Sequence, residues 1–256
     1  MENKLKFVGI IPARYASTRF PGKPLALLDG VPVIERVYRR VSQALDEVWV
    51  ATDDDRIADA VRGFGGRVAM TSPLHRSGTD RCREAYEVAG STADVVINIQ
   101  GDEPFIDPRQ IEQIKGCFDD EATQIATLVR PFPSDGTYEA LCNPNSPKVV
   151  ATSDGFAMLF SRSVIPYLRG IEKERWPAEF QYYTHIGMYA YRADVLDRIT
   201  RLPQSPLEIA ESLEQLRWLQ HGYRIKVAKS DYPTIGIDTP ADLAAAEEYL
   251  LKSGIK

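Results

Sequence analysis

Short unbroken apolar runs alternate along this chain with stretches of helical spacing, and that alternation is its first structural statement. Residues 7–11 are continuously apolar, as a strand covered on both faces must be. Val33, Ile34, Val37, Tyr38, Val41 and Leu45 then recur at intervals of three and four, which predicts a helix. Further strands are predicted over residues 48–51, 67–70, 95–100 and 125–129. Helices are predicted from Asp53–Asp55 through Phe64, with Gly65-Gly66 closing the turn, and over residues 79–88 and 108–118. Repeated strand–helix units predict an α/β fold, a mixed, mostly parallel sheet flanked by helices.

The second half changes rhythm. Residues 149–152 and 156–160 flank Ser153-Asp154-Gly155 and predict an antiparallel hairpin. Residues 161–184 are rich in loops, charges and prolines and read as a lid or an interface, followed by a strand over 187–191. Ser205-Pro206-Leu207-Glu208 combines a capping box with proline at the first helical position, predicting one helix from 207 to about 221. A strand over 224–228 and a helix opening at Thr239-Pro240-Ala241-Asp242 complete the chain. With no internal repeat and no long linker, the expectation is a single domain over residues 1–256, elaborated over about residues 131–192.

Composition narrows the function classes. Lys plus Arg number 31 against 36 Asp plus Glu, a net charge of -5, which argues against nonspecific nucleic-acid binding and against a polybasic membrane patch. No apolar run approaches the ~18 residues of a membrane span, and the polar residues 1–6 lead straight into a strand without signal-peptide character. A cytoplasmic location is expected. Cys82, Cys117 and Cys142 follow no metal-binding spacing and read as buried or idle thiols.

The chemistry concentrates where strands end. Residues 10–24 pass from the first strand into a loop carrying Arg14, Arg19 and Lys23 around Pro21-Gly22, with Ser17 and Thr18 between them. Three cations on flexible backbone at a strand end suit several phosphates at once. Asn98-Ile99-Gln100-Gly101-Asp102-Glu103-Pro104 places Asp102 at the same sheet edge. Alone, Asp102 reads as a turn cap; beside a cationic phosphate loop, it reads as a ligand for a bridging Mg²⁺. Gly236-Ile237-Asp238-Thr239-Pro240 offers Asp238 as partner or as a helix-dipole residue, and spacing alone does not join the two. Ser77-Gly78-Thr79, with Arg76, reads either as a base-edge loop or as a helix start capped by Thr79. Glu214 and Gln215 are neighbours on a predicted helix and point about 100° apart. Neither Gly-x-Gly-x-x-Gly nor Gly-x-x-x-x-Gly-Lys-Ser/Thr occurs, which excludes the usual dinucleotide-binding dehydrogenases and P-loop kinases.

Taken together, residues 11–24, Ser77-Gly78-Thr79, Gln100-Gly101-Asp102-Glu103-Pro104, Phe160-Ser161-Arg162, His185-Ile186-Gly187, Leu213-Glu214-Gln215-Leu216-Arg217 and Asp238-Thr239-Pro240 resemble the 3-deoxy-manno-octulosonate (Kdo) cytidylyltransferases. The matches run in order through nearly the whole chain. The resemblance implies a nucleotide-diphospho-sugar transferase fold and a cytoplasmic homodimer that makes CMP-Kdo from CTP and Kdo for lipopolysaccharide assembly. It implies Arg14, Ser17 and Lys23 on the triphosphate, and Ala13, Arg76, Ser77 and Gln100 near the nucleotide. It further implies Arg19, Gln100, Arg162, His185, Tyr189, Glu214 and Gln215 around Kdo, and Asp102 and Asp238 on Mg²⁺. Arg14, Lys23, Asp102 and Asp238 would then carry catalysis. Arg76 and Asp80 depart from the Gln and Glu common in such relatives. The same scaffold also serves sialic acid, 8-amino-Kdo and sugar 1-phosphates, and a noncatalytic nucleotide-binding regulator is the rival of another class.

Overall fold

Strand β1 (Phe7–Ala13) is covered on both faces, with Val8, Ile10 and Ile11 wholly buried. The computed structural model describes residues 5–16, 19–233 and 235–253, and the chain folds into two compact units, Met1–Glu112 with Tyr232–Lys256, and Gln113–Asp231.

In the first unit β1 is followed by a two-stranded ribbon of β2 (Leu27–Leu28) and β3 (Val31–Pro32), closed by Asp29-Gly30 with both residues at positive φ. Then come α1 (Val33–Val41), β4 (Val48–Thr52), α2 (Asp55–Gly63), β5 (Val68–Met70), α3 (Gly78–Val88), β6 (Val95–Asn98) and α4 (Pro108–Gly116). The sheet strands are parallel, in the spatial order β6-β1-β4-β5, and only the β2–β3 ribbon is antiparallel among the described residues of this unit. The sequence thus runs outward from β1 on one side and jumps to β6 on the other. At such a reversal the loops leaving the two strands diverge and open a crevice, the usual ligand position in an open α/β sheet. The loops after β1 and β6 are the two cationic and acidic stretches singled out above. One detail differs from the sequence reading. The N-cap of α3 is Ser77, whose hydroxyl accepts from Asp80 N at 3.1 Å, while Thr79 turns inward and is buried.

The second unit holds β7 (Ile125–Pro131), α5 (Tyr138–Leu141), β8 (Lys148–Ala151), β9 (Ala157–Ser161), α6 (Trp176–Glu179), β10 (Tyr183–Arg192), α7 (Ala193–Ile199), α8 (Pro206–Glu211), α9 (Gln215–Gln220) and β11 (Ile225–Lys229). Here β11 joins β7 in parallel, whereas β10 with β7 and β8 with β9 are antiparallel, the latter being the expected hairpin. The expected α/β architecture, a mostly parallel sheet with an antiparallel elaboration, is present. The loop-rich stretch over 161–184 has a core of its own, in which Trp176 and Tyr182 bury against Leu141 and the Trp176 indole donates to Ile171 O at 2.9 Å.

The single helix expected over 207–221 is two helices, and the capping box at Ser205 opens only the first. Between them Ser212 adopts the left-handed conformation, φ 50 and ψ 47. The apolar pattern explains the break. Leu207 and Ile209 face solvent, while Leu213, Leu216 and Trp218 are buried, so no straight helix keeps both sets in register. The Glu211 carboxylate also accepts from Ser161 Oγ at 2.7 Å and from Arg162 N at 2.5 Å, holding the end of α8. Of the thiols, read as buried or idle, Cys82 and Cys117 are buried and Cys142 is exposed.

The chain then returns to the first unit with α10 (Pro240–Ser253), opened by a reciprocal pair in which Thr239 N donates to Asp242 Oδ2 at 2.8 Å and Asp242 N to Thr239 Oγ1 at 3.2 Å. Ala246 and Leu250 of α10 join Leu28, Val33, Phe105 and Ile237 in one apolar cluster, against which Phe20 and Ala26 pack. Full burial of one such large side chain contributes about 1.5–3 kcal/mol.

Because Ser212 holds a positive φ that costs a non-glycine residue about 1 kcal/mol, Ser212→Gly should keep or raise stability in urea unfolding. Ser212→Val, β-branched at that φ, should lower it by about 1–2 kcal/mol.

Candidate active site

Two glycines allow the loops after β1 and β6 to meet. Gly22, at φ 74, donates to Tyr15 O at 2.9 Å and closes the loop after β1; a Cβ there would crowd the Tyr15 ring at 3.2 Å. Gly101 lies so close to β1 that a Cβ would stand 2.7 Å from Pro12 O. Only glycine permits that approach, and it carries Asp102 to the foot of the cationic loop.

Lys23 Nζ lies 2.6 Å from Asp102 Oδ2 and 3.2 Å from Asp238 Oδ1, and Arg19 Nη2 lies 3.1 Å from the same Asp238 oxygen. Ile237 N donates to Asp102 O at 2.9 Å, so backbone as well as charge joins two aspartates that are 136 residues apart in sequence. The apolar cluster explains their placement. Phe105 and Ile237 belong to it and flank the two aspartates, while Phe20 and Ala26 flank Lys23.

Two carboxylates therefore converge on one cation. Their side chains keep 28% and 47% of their surface, so water and phosphate oxygens can reach them. Among the described residues no group of three or more His, Cys, Asp or Glu is placed to hold a metal ion. A pair of carboxylates with open access fits Mg²⁺, which binds through one or two carboxylates and completes its shell with water and phosphate, and does not fit a closed protein cage.

The remaining nucleotide-side candidates surround this centre. Ala13 is buried at the end of β1. Arg14 donates from Nη2 to His75 O, linking this loop to the one before α3, and His75 itself meets Glu84. Arg76 is exposed, Ser77 caps α3, and Gln100 is partly buried two residues beyond β6. Ser17 lies outside the described residues. Arg19, expected to turn toward the sugar acid, here pairs with Asp238. Sequence reasoning missed Arg81, a wholly buried guanidinium whose Nη1 meets Asp53 Oδ1 at 3.0 Å and Thr71 Oγ1 at 2.6 Å. Burial lowers its pKa, with Asp53 opposing the shift. Arg81 lies on the buried face of α3 with Cys82 and Ala85.

A second group gathers within the other unit. The rings of His185 and Tyr189 lie 5.1 Å apart, and Trp218 meets Tyr189 edge-on at 5.2 Å. Gln215 Nε2 and Trp218 Nε1 are buried without a hydrogen-bond partner. The Tyr189 hydroxyl is close enough to Thr127 to feel it, yet makes no hydrogen bond of normal geometry. Buried polar groups are nearly always paired, so this cluster of orphans marks a place for a polar ligand. Burial, with the charge of Glu214, pushes the Tyr189 phenol well above its usual range. His185 keeps a partly open edge but is otherwise enclosed, and burial lowers its pKa to about 4. Glu214 is held by Arg217 Nη2 at 2.7 Å. Arg162, expected in the sugar-acid pocket, donates to the carbonyls of Glu211, Pro144 and Ser212 at 2.6, 2.7 and 3.3 Å and so fastens the loop that delivers Glu214 and Gln215.

The cytidylyltransferase family profile matches residues 8–225. A 3-deoxy-manno-octulosonate cytidylyltransferase of Phocaeicola vulgatus is 65% identical over 246 residues, covering 96% of this chain and 98% of that protein. Its counterpart in Parabacteroides distasonis is 62% identical over 247 residues, covering 96% and 98%. A solved structure of CMP:2-keto-3-deoxy-manno-octonic acid synthetase complexed with CTP superposes with a TM-score of 0.88 at 43% identity, covering 97% of this chain and 99% of that one. No helix among the described residues is long and apolar enough to cross a membrane.

A buried neutral imidazole has a pH consequence. Above about pH 6.5 His185 is neutral in both folded and unfolded chains and contributes no pH dependence. Between 6.5 and about 4 the unfolded chain takes up a proton that the folded ring refuses, so stability declines as pH falls. His185→Gln should flatten that part of the profile in urea titrations at stepped pH.

Proposed function

We propose that the chain, which belongs to the cytidylyltransferase family and within it to the 3-deoxy-manno-octulosonate cytidylyltransferases, activates Kdo by the reaction of CTP with Kdo to give CMP-Kdo and pyrophosphate. The observation that carries this reading is the convergence of Asp102 and Asp238 on one cation at the end of β1, beside a loop of further cations. A carboxylate pair is a poor phosphate neighbour unless a cation stands between, and a nucleoside triphosphate bound with Mg²⁺ brings one.

The anomeric hydroxyl of Kdo attacks the α-phosphorus of CTP; the new oxygen–phosphorus bond forms as the bond to the bridging α–β oxygen breaks, pyrophosphate departs in line and the hydroxyl proton passes to solvent. Catalysis of such a displacement is mainly positioning and charge stabilisation. Asp102 and Asp238 would hold Mg²⁺, which when bound polarises the α-phosphate and lowers the pKa of a nearby hydroxyl. Lys23, relieved of balancing the two aspartates, is then free to turn its compact charge to the departing pyrophosphate. Arg14 serves the same oxygens with a planar fork suited to paired acceptors. Ala13, Ser17, Arg76, Ser77 and Gln100 fit the nucleotide. His185, Tyr189, Glu214 and Gln215 fit the polyhydroxylated acid, with Arg162 bracing their loop. The remaining parts of the reading follow from the family: a cytoplasmic homodimer supplying CMP-Kdo for lipopolysaccharide assembly.

Pyrophosphate release with CTP, Kdo and Mg²⁺ is the direct assay. Asp102→Asn and Asp238→Asn should each lower kcat roughly 100-fold or more, the scale of losing one preorganised electrostatic element; near-normal turnover in both would refute the metal assignment. Lys23→Ala should raise the KM for CTP and leave the KM for Kdo largely unchanged. A strong preference for 8-amino-Kdo over Kdo would overturn the substrate assignment and keep the reaction.

A further inference from the structure

Strand β10 is not regular where it carries His185 and Tyr189. Ile186 pairs with Leu128 of β7 and Tyr189 with Thr127, so Gly187 and Met188 form a bulge with no register partner on β7. Four residues of regular strand span roughly 13 Å, yet these two rings stand 5.1 Å apart. The irregularity is what brings them together.

Thr127 sits opposite the bulge and is wholly buried. Its Oγ1 lies 2.7 Å from Met188 O, 3.3 Å from Ile186 O and 3.0 Å from His185 Nε2. A hydroxyl has one hydrogen. A 2.7 Å approach to a carbonyl oxygen is favourable only if that hydrogen points at the carbonyl, since two bare oxygens repel. The hydrogen is therefore committed to the bulge, and toward the imidazole Oγ1 can only accept. Nε2 of His185 must carry the ring's hydrogen, which leaves Nδ1 a bare acceptor. Among the described residues Nδ1 has no hydrogen-bond partner.

We propose that Thr127 is a positioning residue, which fixes both the bulge and the tautomer of His185 so that Nδ1 receives a hydrogen bond from a ligand hydroxyl. This rests on the reading of the His185, Tyr189 and Gln215 group as the sugar-acid pocket. It gives that pocket a polarity: an acceptor at His185 Nδ1 for a hydroxyl, and donors at Gln215 Nε2 and the Tyr189 hydroxyl for ligand oxygens. A carboxylate, which only accepts, is repelled by the bare nitrogen, so the hydroxyl chain of the acid lies against His185 and its carboxylate lies elsewhere.

The chain has three histidines, His75, His185 and His221, so long-range nitrogen–proton NMR of histidine-labelled protein can report the tautomer of each once His→Gln variants assign the signals. In the ligand-free protein His185 should show hydrogen on Nε2. Thr127→Val, close to isosteric, should let the tautomers redistribute. It should also raise the KM for Kdo about tenfold, the loss of one hydrogen bond, with the KM for CTP unchanged. Thr127→Ser should restore both readouts. Hydrogen on Nδ1 in the wild-type protein would overturn the proposal while leaving the sugar-acid reading intact, and that spectrum decides even if Thr127→Val fails to fold. Redistributed tautomers with an unchanged KM for Kdo would overturn the placement of the acid at His185.

Discussion

Two carboxylates held near one another repel unless a cation lies between them, and in this protein the cation is Lys23. The surrounding structure is organised to bring that charge and its two partners to one point. Strand β1 ends at the switch in strand order, Gly101 lets the loop after β6 lie against Pro12, and α10 folds back so that Ile237 buries beside Phe105. Each charged side chain stands a few residues from an apolar anchor in the same cluster. Burial of those anchors, about 1.5–3 kcal/mol for each large side chain, dwarfs the net worth of part-exposed ion pairs. The cluster therefore determines where the charges stand, and the charges determine what the crevice attracts.

Much of the first unit was legible in the sequence because its signals are local. A continuous apolar run followed by Pro-Gly and three cations marks a strand end with a cationic loop, and alternating strands and helices mark the sheet. The meeting of Asp102 with Asp238 was not legible from spacing, since it depends on α10 returning to β1 across the length of the chain. Arg81 escaped for a different reason. A buried arginine breaks the pattern of its helix face, and a pattern reading treats it as an irregularity and not as a centre with Asp53 and Thr71 around it.

In the second unit the sequence misled where the backbone departs from regular geometry. One helix was expected where Ser212 turns the chain, because the capping box at Ser205 marks a helix start and nothing in the sequence marks the stop. The bulge at Gly187-Met188 leaves no mark in an apolar alternation that would suit a straight strand equally well. Both irregularities lie next to candidate site residues, Glu214 and Gln215 in one case and His185 and Tyr189 in the other. A regular strand would set His185 and Tyr189 roughly 13 Å apart along one face; the bulge brings their rings to 5.1 Å.

The two groups share a way of preparing for a ligand. In the first, opposite charges satisfy one another while both carboxylates stay partly open to solvent, an arrangement the proposed reading would exchange for a metal-bound triphosphate. In the second, Gln215 Nε2 and Trp218 Nε1 are left buried without a partner, a condition that costs about 1–3 kcal/mol per group and that only a well-packed frame tolerates. Thr127 belongs to that frame. By satisfying the bulge carbonyl and the inner nitrogen of His185 with a single hydroxyl, it removes the polar groups that need no ligand and leaves outward only those that do. An unsatisfied group selects strongly only if its donor or acceptor character is fixed, since a ring free to exchange tautomers would accept either kind of ligand atom. On the proposed reading, specificity for a polyhydroxylated acid depends as much on the buried side chains that hold each proton in place as on those that touch the ligand.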